Sequence, residues 1–439
     1  MMSKTETTML APKPAETRLQ LCYGLNEADS WWHFARGPHR GRIQKRLREL
    51  RPNIVRIFLF DKRTPDPVEE WAAFAEYVQA VLNVGAVPMI TFAKFRRPFD
   101  DPRALHWFAD RCGDVVWGCI EQWGEVVRDW YWVVWNEPNN TWIGGGLRFE
   151  SYRRIYEEVA RRIMHWLSPL LGGRRPLLGG PSIDGFDPFW MDWIWRFVHE
   201  IDPALFSFVN WHHYGDWRGH GEKGAPRDES AHRALLLART PDYAARGRDI
   251  ARLLRGTGVL NICGEWNAYS HYEPSARAHV NQSLFGAAYG AAVLLQLMRA
   301  GVDAGLVWTG IDANCGYGVM DREGRPKPLF HAVKLCTQFI RRGDWVWFPT
   351  GEDSRADLDV VVARGENGWH SALLVHLQPE NAAYTVTELD DRLADCHRLL
   401  RIDAATGGRV VETPCEGTVH FEGYGVAVLS NAPPGIFGT

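Results

Sequence analysis

Eight short apolar runs recur along the first three quarters of the chain, beginning near Leu19, Asn53, Val87, Tyr131, Leu177, Ser207, Leu260 and Gly305. Successive starts lie 34, 34, 44, 46, 30, 53 and 45 residues apart. Each interval holds a strand, a helix and two loops, the repeat that parallel strands joined by helical crossovers require. Runs such as Asn53 to Phe60 (NIVRIFLF) and Val87 to Phe92 (VPMITF) carry few charges, as strands covered on both faces do. Between them, Tyr152, Ile155, Val159, Ile163 and Trp166 recur at steps of three or four within a charged stretch, and Trp71, Phe74, Val78 and Leu82 do the same. Both patterns predict helices with one buried face.

Eight such units predict a closed (β/α)8 TIM barrel over residues 19–340. An open, doubly wound sheet would satisfy the same periodicity, but no GxGxxG follows the first strand. After Ile340 the helical intervals stop. Trp345 to Phe348, Leu358 to Ala363, Ala372 to Leu377, Tyr384 to Leu389, Arg398 to Ile402 and Thr418 to Leu429 alternate or cluster apolar residues, which predicts an antiparallel β-sandwich over 341–439. Residues 1–18 are polar and either loose or an edge strand of that sandwich. There is no internal repeat and no low-complexity segment.

The 439 residues suit one barrel, about 250 residues long when unadorned, and one smaller domain. With 46% hydrophobic and 23% charged residues the chain can bury a sizeable core. A formal net charge of −3 and the lack of a dense Lys/Arg run exclude a nucleic-acid backbone as partner. The N-terminal 20 residues lack the apolar stretch of a secretory signal, and Phe285 to Met298 falls short of the ~20 residues a bilayer requires. Eight cysteines without a CxxC pair read as reduced thiols, so the expected setting is cytoplasmic, with no membrane span. The 21 tryptophans supply flat faces useful as core filler and as platforms for sugar rings.

The chemistry concentrates at two places. Trp135-Asn136-Glu137-Pro138-Asn139 directly follows the fourth apolar run, and Cys263-Gly264-Glu265-Trp266-Asn267 closes the seventh. Proline disfavours helical geometry at the residue before it, so Glu137 is expected to be extended at a strand end. In a (β/α) barrel the C-terminal strand ends converge on a pocket. A single Glu in a long chain is most often a solvated surface side chain. Two of them, each ending an apolar run, flanked by Trp and Asn and far from other charge, make a better catalytic pair than surface pair, because burying an unpaired carboxylate is costly. Carboxyls about 5 to 5.5 Å apart flanking a glycosidic bond allow one to attack the anomeric carbon while the other protonates the leaving oxygen.

These two motifs, together with Gly318 to His331 (GVMDREGRPKPLFH), resemble family 39 of the glycoside hydrolases, in the large clan of (β/α)8 retaining glycosidases. That group includes β-xylosidases, α-L-iduronidases and bacterial enzymes acting on exopolysaccharides. The resemblance covers about Leu19 to Ile340, and the trailing β region matches the family's accessory sandwich. It implies a retaining glycosidase with Glu137 as acid/base and Glu265 as nucleophile, needing no cofactor and no metal, and taking as its partner an oligo- or polysaccharide, xyloside-like or bacterial. The rival from another class is a carbohydrate-binding barrel that has lost turnover. Oligomeric state is left open.

Other residues join the candidate site. Asn136 is placed to hydrogen-bond a sugar 2-hydroxyl. Trp211-His212-His213-Tyr214 ends the sixth run where the family has His-x-Tyr, which implies that His212 and Tyr214 contact substrate and orient the nucleophile. His212 and His213 suggest a metal, but no further ligands lie at matching spacing. Arg56 is an expensive core cation unless paired with a carboxylate near Glu265. Many relatives have Arg-x-His where this chain has Arg56-Ile57-Phe58, so the resemblance does not carry a xylose-type innermost subsite. Trp308 ends the eighth run as a sugar platform or as core. Thr141 to Leu147 (TWIGGGL) is Gly-rich but no Lys-Ser/Thr follows, so it is not a phosphate loop, and Trp142 within it is expected to line an aglycone subsite. Residues 218–246 read as a long charged loop on the pocket side, able to favour endo or exo action.

Overall fold

After a two-residue strand β1 (Thr17–Arg18), each of the eight apolar runs becomes one strand: β2 (Cys22–Glu27), β3 (Ile54–Leu59), β4 (Val87–Phe92), β5 (Tyr131–Val134), β6 (Leu178–Ile183), β7 (Phe208–Asp216), β8 (Leu260–Tyr269) and β9 (Ala304–Val307). The computed structural model describes residues 16–27, 30–61, 64–93, 101–218, 228–270, 280–312, 316–349 and 357–433. Neighbours in sequence pair in parallel, and β9 pairs back to β2 with Cys22 opposite Ala304, which closes the barrel. Closure leaves no open edge and directs all eight C-terminal ends to one mouth.

The crossover helices form where the periodicity places them. In Phe149–Leu171, Tyr152, Ile155, Val159 and Ile163 are fully or almost fully buried, and the helix stops at Gly172 with φ of +54°, a left-handed cap that glycine adopts without strain. Burying each large apolar side chain in this way stabilises the fold by roughly 1.5–3 kcal/mol. Asp101 caps helix Pro102–Trp123 by accepting a hydrogen bond from Arg103 N at 2.9 Å. Helix Leu284–Arg299 is buried almost all round because it lies between the barrel and the C-terminal sheet. Among the described residues no helix is long and apolar enough to cross a membrane.

Beyond residue 340 come β10 (Trp345–Trp347), β11 (Leu358–Arg364), β12 (His370–His376), β13 (Ala382–Thr385), β14 (Arg398–Ile402), β15 (Val411–Pro414), β16 (Thr418–Phe421) and β17 (Gly425–Ser430). They build an antiparallel sheet in the order β1-β10-β11-β12-β17-β14-β15 and a two-stranded sheet β13-β16. Strand alternation splits the larger sheet's side chains. Val360, Val362, Leu374 and Leu429 pack with Tyr384, Val419 and Phe421 of the smaller sheet, while Val361, Leu373, Val375 and Val428 join the barrel's core. Asp359, nine-tenths buried, is clamped from the helix Leu284–Arg299 by Arg299 at 2.5 Å. β1 pairs with Trp345–Val346 at the sheet's edge.

Three expectations differ. Tyr384 to Leu389 is a strand only to Thr385 and then one helical turn, and Thr418 to Leu429 is two strands in two different sheets. Exposed β15 has no buried face to betray it in the sequence. The charged stretch 218–246 is not one loop: Asp228 accepts from Ala231 N at 2.7 Å and starts helix Glu229–Ala238, and Pro241–Leu253 is the next crossover helix. Charges on their outer faces mask the buried Leu236, Tyr243 and Ile250. Residues 219–227 of that stretch, and Cys315, lie outside the described residues.

Candidate active site

The barrel mouth gathers polar side chains from strands whose other residues are mostly apolar. Arg56 points inward from β3 and is fully buried. His212 and Tyr214 are two apart on β7 and so share one face. Glu265 is not at a strand end as expected, because β8 runs on to Tyr269. A bulge turns it inward instead: opposite β7, Trp211 pairs with Cys263 but His212 pairs with Glu265, so Gly264 is skipped. A Cβ on Gly264 would lie 1.9 Å from Asn210 Oδ1, so only glycine fits the bulge.

Glu137 lies just past β5, where the sequence puts it, but its backbone is left-handed at φ +46° and not extended. Two backbone hydrogen bonds override the preference that Pro138 imposes. Glu137 N donates to Ser182 O at 2.8 Å, and Asn140 N donates to Glu137 O at 2.9 Å. Trp135 and Ser182 also have positive φ, +74° and +54°. Such residues cost about 1–3 kcal/mol each and gather where side-chain aim matters.

The side chains form one network. Arg56 donates to Glu265 Oε1 at 2.6 Å, to Asn136 Oδ1 at 2.8 Å, to Thr91 Oγ1 at 2.8 Å and to Asn26 Oδ1 at 3.4 Å. Tyr214 OH donates to Glu265 Oε2 at 2.8 Å. Arg56 also approaches His212 Nε2 at 3.3 Å, and since guanidinium only donates, Nε2 is the bare nitrogen. The proton therefore sits on Nδ1, which donates to Glu137 Oε1 at 2.9 Å. His212 is 3.5 Å from Glu265 Oε1, so it serves Glu137 more closely than the expected nucleophile, whose orientation comes from Tyr214 and Arg56.

One oxygen of each glutamate and a ring nitrogen of His212 lie within 4.8 Å of one another. Three ligands of a divalent ion can be spaced like that, but the Arg56 guanidinium already stands against Glu265 Oε1, and a second cation there meets its repulsion. His213 does not join the cluster. Its ring packs against Tyr243 with centroids 4.5 Å apart.

Burial raises both carboxyls above their ordinary range, and they part from there. Glu137 is pushed well up by burial first, then by the charges of Asp184 and Glu265, against Arg56 and a hydrogen bond from Asn140. Glu265 is raised by burial, but Arg56 and the Tyr214 hydroxyl pull it back down. Burial and Arg56 hold His212 well below its usual range, so it is neutral, and burial and the two glutamates keep Tyr214 a phenol.

Asn136, Glu137, Arg56, His212, Tyr214 and Glu265 thus come together. Trp308 stands at the edge, partly buried, edge-on to Phe58 at 5.6 Å, and with Ala93 the two make an apolar wall. Trp142 is not drawn in: its side chain is 91% exposed on the loop after β5. Four residues escaped the sequence reading. Polar positions inside apolar strands are a signal for Asn26 and Thr91, whereas Asn140 and Asp184 depend on how two loops meet.

No protein-family model matches the chain. A β-xylosidase of Geobacillus stearothermophilus is 27% identical over 295 residues, 64% of this chain and 53% of that one. A β-xylosidase of Caldicellulosiruptor saccharolyticus is 22% identical over 283 residues, 60% of this chain and 52% of its own. The chain is similar to β-xylosidases. It spans about half the length of these two relatives. Among solved structures, a family 39 β-xylosidase from Caulobacter crescentus superposes with a TM-score of 0.64 at 17% identity, covering 97% of this chain and 98% of that one. An α-L-arabinofuranosidase from Thermotoga maritima gives 0.63 at 14% identity, covering 95% and 97%. These structural likenesses concern the fold, the barrel with its antiparallel β region included.

Proposed function

We propose that the protein is a retaining glycoside hydrolase that cleaves β-type glycosidic bonds by double displacement, with a xyloside or a bacterial polysaccharide as substrate. The observation that carries this is the meeting of Glu137 and Glu265, 128 residues apart in sequence, with oxygens within 4.8 Å. Inverting enzymes hold their carboxyls about 6.5–9.5 Å apart to admit a water, and that gap is absent between these two. The β-xylosidase likeness supports the substrate class.

In this reading Glu265, ionised between Arg56 and Tyr214, attacks the anomeric carbon. The bond to the leaving oxygen breaks as Glu137 gives that oxygen its proton. The glycosyl ester removes the charge of Glu265, which lowers the proton affinity of Glu137. Glu137 then takes a proton from the water that cleaves the ester, restoring both groups. Asn136, whose Oδ1 is held by Arg56, turns its NH2 group away from that cation and towards a sugar 2-hydroxyl. His212 keeps the Glu137 carboxyl in plane with its Nδ1 hydrogen bond. Trp308 with Phe58 forms an apolar side of the innermost subsite, and Trp142 reaches only a leaving group that extends beyond the mouth.

The test is proton NMR of aryl β-xyloside hydrolysis, watching which anomer appears first. The β-anomer as first product supports double displacement, and the α-anomer overturns it. If the wild type, Glu137→Ala and Glu265→Ala all bind oligosaccharides and none hydrolyses an aryl glycoside, the protein is a binding barrel.

A further inference from the structure

The loop after β5 and the loop after β6 are stitched together by two successive asparagines. Asn139 Nδ2 donates to Asp184 O at 3.1 Å and to Asp187 Oδ2 at 3.0 Å, and its Oδ1 accepts from Asp184 N at 3.0 Å. Asn140 is held differently. Its Oδ1 accepts from Trp142 N at 2.9 Å and from Ile143 N at 3.1 Å, which fixes the direction of the amide. The NH2 end must then face the pocket, and its two hydrogens go to two carboxylates: Glu137 Oε2 at 3.3 Å and Asp184 Oδ2 at 3.0 Å. Asp184 is itself immobilised, because its Oδ1 accepts from Phe186 N at 2.9 Å.

We propose that Asp184, held against Asn140, is a positioning residue that keeps the proton on Glu137 and sets the pH range of both half-reactions. This rests on the reading of Glu137 as acid/base. One nitrogen bridges the two acids, so the two oxygens are no farther apart than those two hydrogen bonds laid end to end. A like charge at that distance, in a buried pocket, opposes ionisation of its neighbour. Burial makes Asp184 a weaker acid than usual, while its bonds to Phe186 N and Asn140 act the other way.

The effect differs from that of Glu265 in time. The charge of Glu265 vanishes when the glycosyl ester forms, but that of Asp184 persists through both steps. It therefore keeps Glu137 protonated before attack and leaves it a stronger base for activating water afterwards. No bond forms to Asp184. The other groups facing Glu137 are constant in the comparison: Arg56 from β3, neutral His212 and Tyr214 from β7, and Glu265 from β8, while Asp187 from the loop after β6 and Arg246 of helix Pro241–Leu253, which donates to Gly185 O at 2.7 Å, act on Asp184.

The experiment compares Asp184→Asn and Asp184→Ala with the wild type, each checked for an unchanged melting transition. For a phenyl β-xyloside the alkaline limb of kcat/KM is expected about one pH unit lower in both variants. Carbon-13 NMR of the Glu137 carboxyl, assigned with Glu137→Gln, is expected to titrate lower by the same amount. Folded variants that lose rate with the limb and the titration unmoved overturn the proposal, since a merely structural Asp184 would do that. Should neither variant fold, the wild-type Glu137 signal decides: a second inflection where Asp184 titrates supports the coupling, and a single one refutes it. The NMR titration needs no turnover, so absence of glycosidase activity with a shifted Glu137 defeats the functional reading while leaving the coupling standing.

Discussion

Glu137 and Glu265 share one pocket and nearly the same burial, 4% and 3% exposed, yet their surroundings are opposite. Glu265 receives a guanidinium on one oxygen and a phenol on the other. Glu137 receives a neutral imidazole and an amide that is shared with a third carboxylate. Desolvation raises both, so burial does not tell them apart. Neighbouring charges do: a cation at 2.6 Å favours the ionised form of Glu265, and Asp184 disfavours that of Glu137. Two side chains of one chemical type are thereby set to opposite tasks by what each of them touches.

The sharpest way to break this comparison is to delete each carboxyl and offer azide. Glu265→Ala is expected to lose roughly 10⁴-fold or more in kcat, and azide entering from the vacated side gives the α-glycosyl azide. Glu137→Ala is expected to lose about 10²–10⁴-fold on poor leaving groups, and azide then gives the β-glycosyl azide. Product anomers by NMR check it, and the same anomer from both variants would mean that the roles are not divided as drawn.

Next in size is the cation. Arg56→Met leaves Glu265 buried without its partner, a change expected to cost about 3–5 kcal/mol by chemical denaturation at pH 7. The loss is expected to shrink towards low pH, where Glu265 takes up a proton and needs no partner. A loss independent of pH would assign Arg56 a packing role alone.

The smallest effect concerns the proton itself. The Glu137 carboxyl is raised above its unfolded value, so the folded state holds this proton more tightly. Its stabilising contribution is complete below the ordinary glutamate range of about 4.3 and is lost as pH rises through the folded value. Glu137→Gln, which keeps shape and hydrogen bonding without the charge, is expected to be more stable than wild type above that range, by about 1 kcal/mol, and equal to it near pH 4. Melting curves across pH 4–8 read the difference, and a constant offset would contradict the raised carboxyl.

Much of this molecule was legible as a string of residues. Parallel strands buried on both faces must be apolar runs, so eight of them at helix-length spacing already announce a barrel, and their starts lie within three residues of the observed ones. Glu137, Glu265 and Arg56 stood out because charged groups are rare within such runs and at their ends, whereas His212 and Tyr214 stood out through the resemblance to a His-x-Tyr pattern. The C-terminal region was read less well where local pattern lacks a face: β15 is exposed along its length, and the short turn Glu422-Gly423-Tyr424 between β16 and β17 transfers the chain from one sheet to another.

What only the tertiary structure decided is direction and company. A bulge at Gly264, not a strand end, aims Glu265, and a left-handed backbone held by Ser182 O aims Glu137 against the preference of Pro138. The tautomer of His212 follows from Arg56, which is 156 residues away along the chain. Asp184 and Asn140 acquire meaning only because two loops dock. Apolar periodicity is a local property, since burial on one face repeats with the backbone's own period. A proton's position depends on charges a few ångströms away in space, and sequence distance carries no record of those.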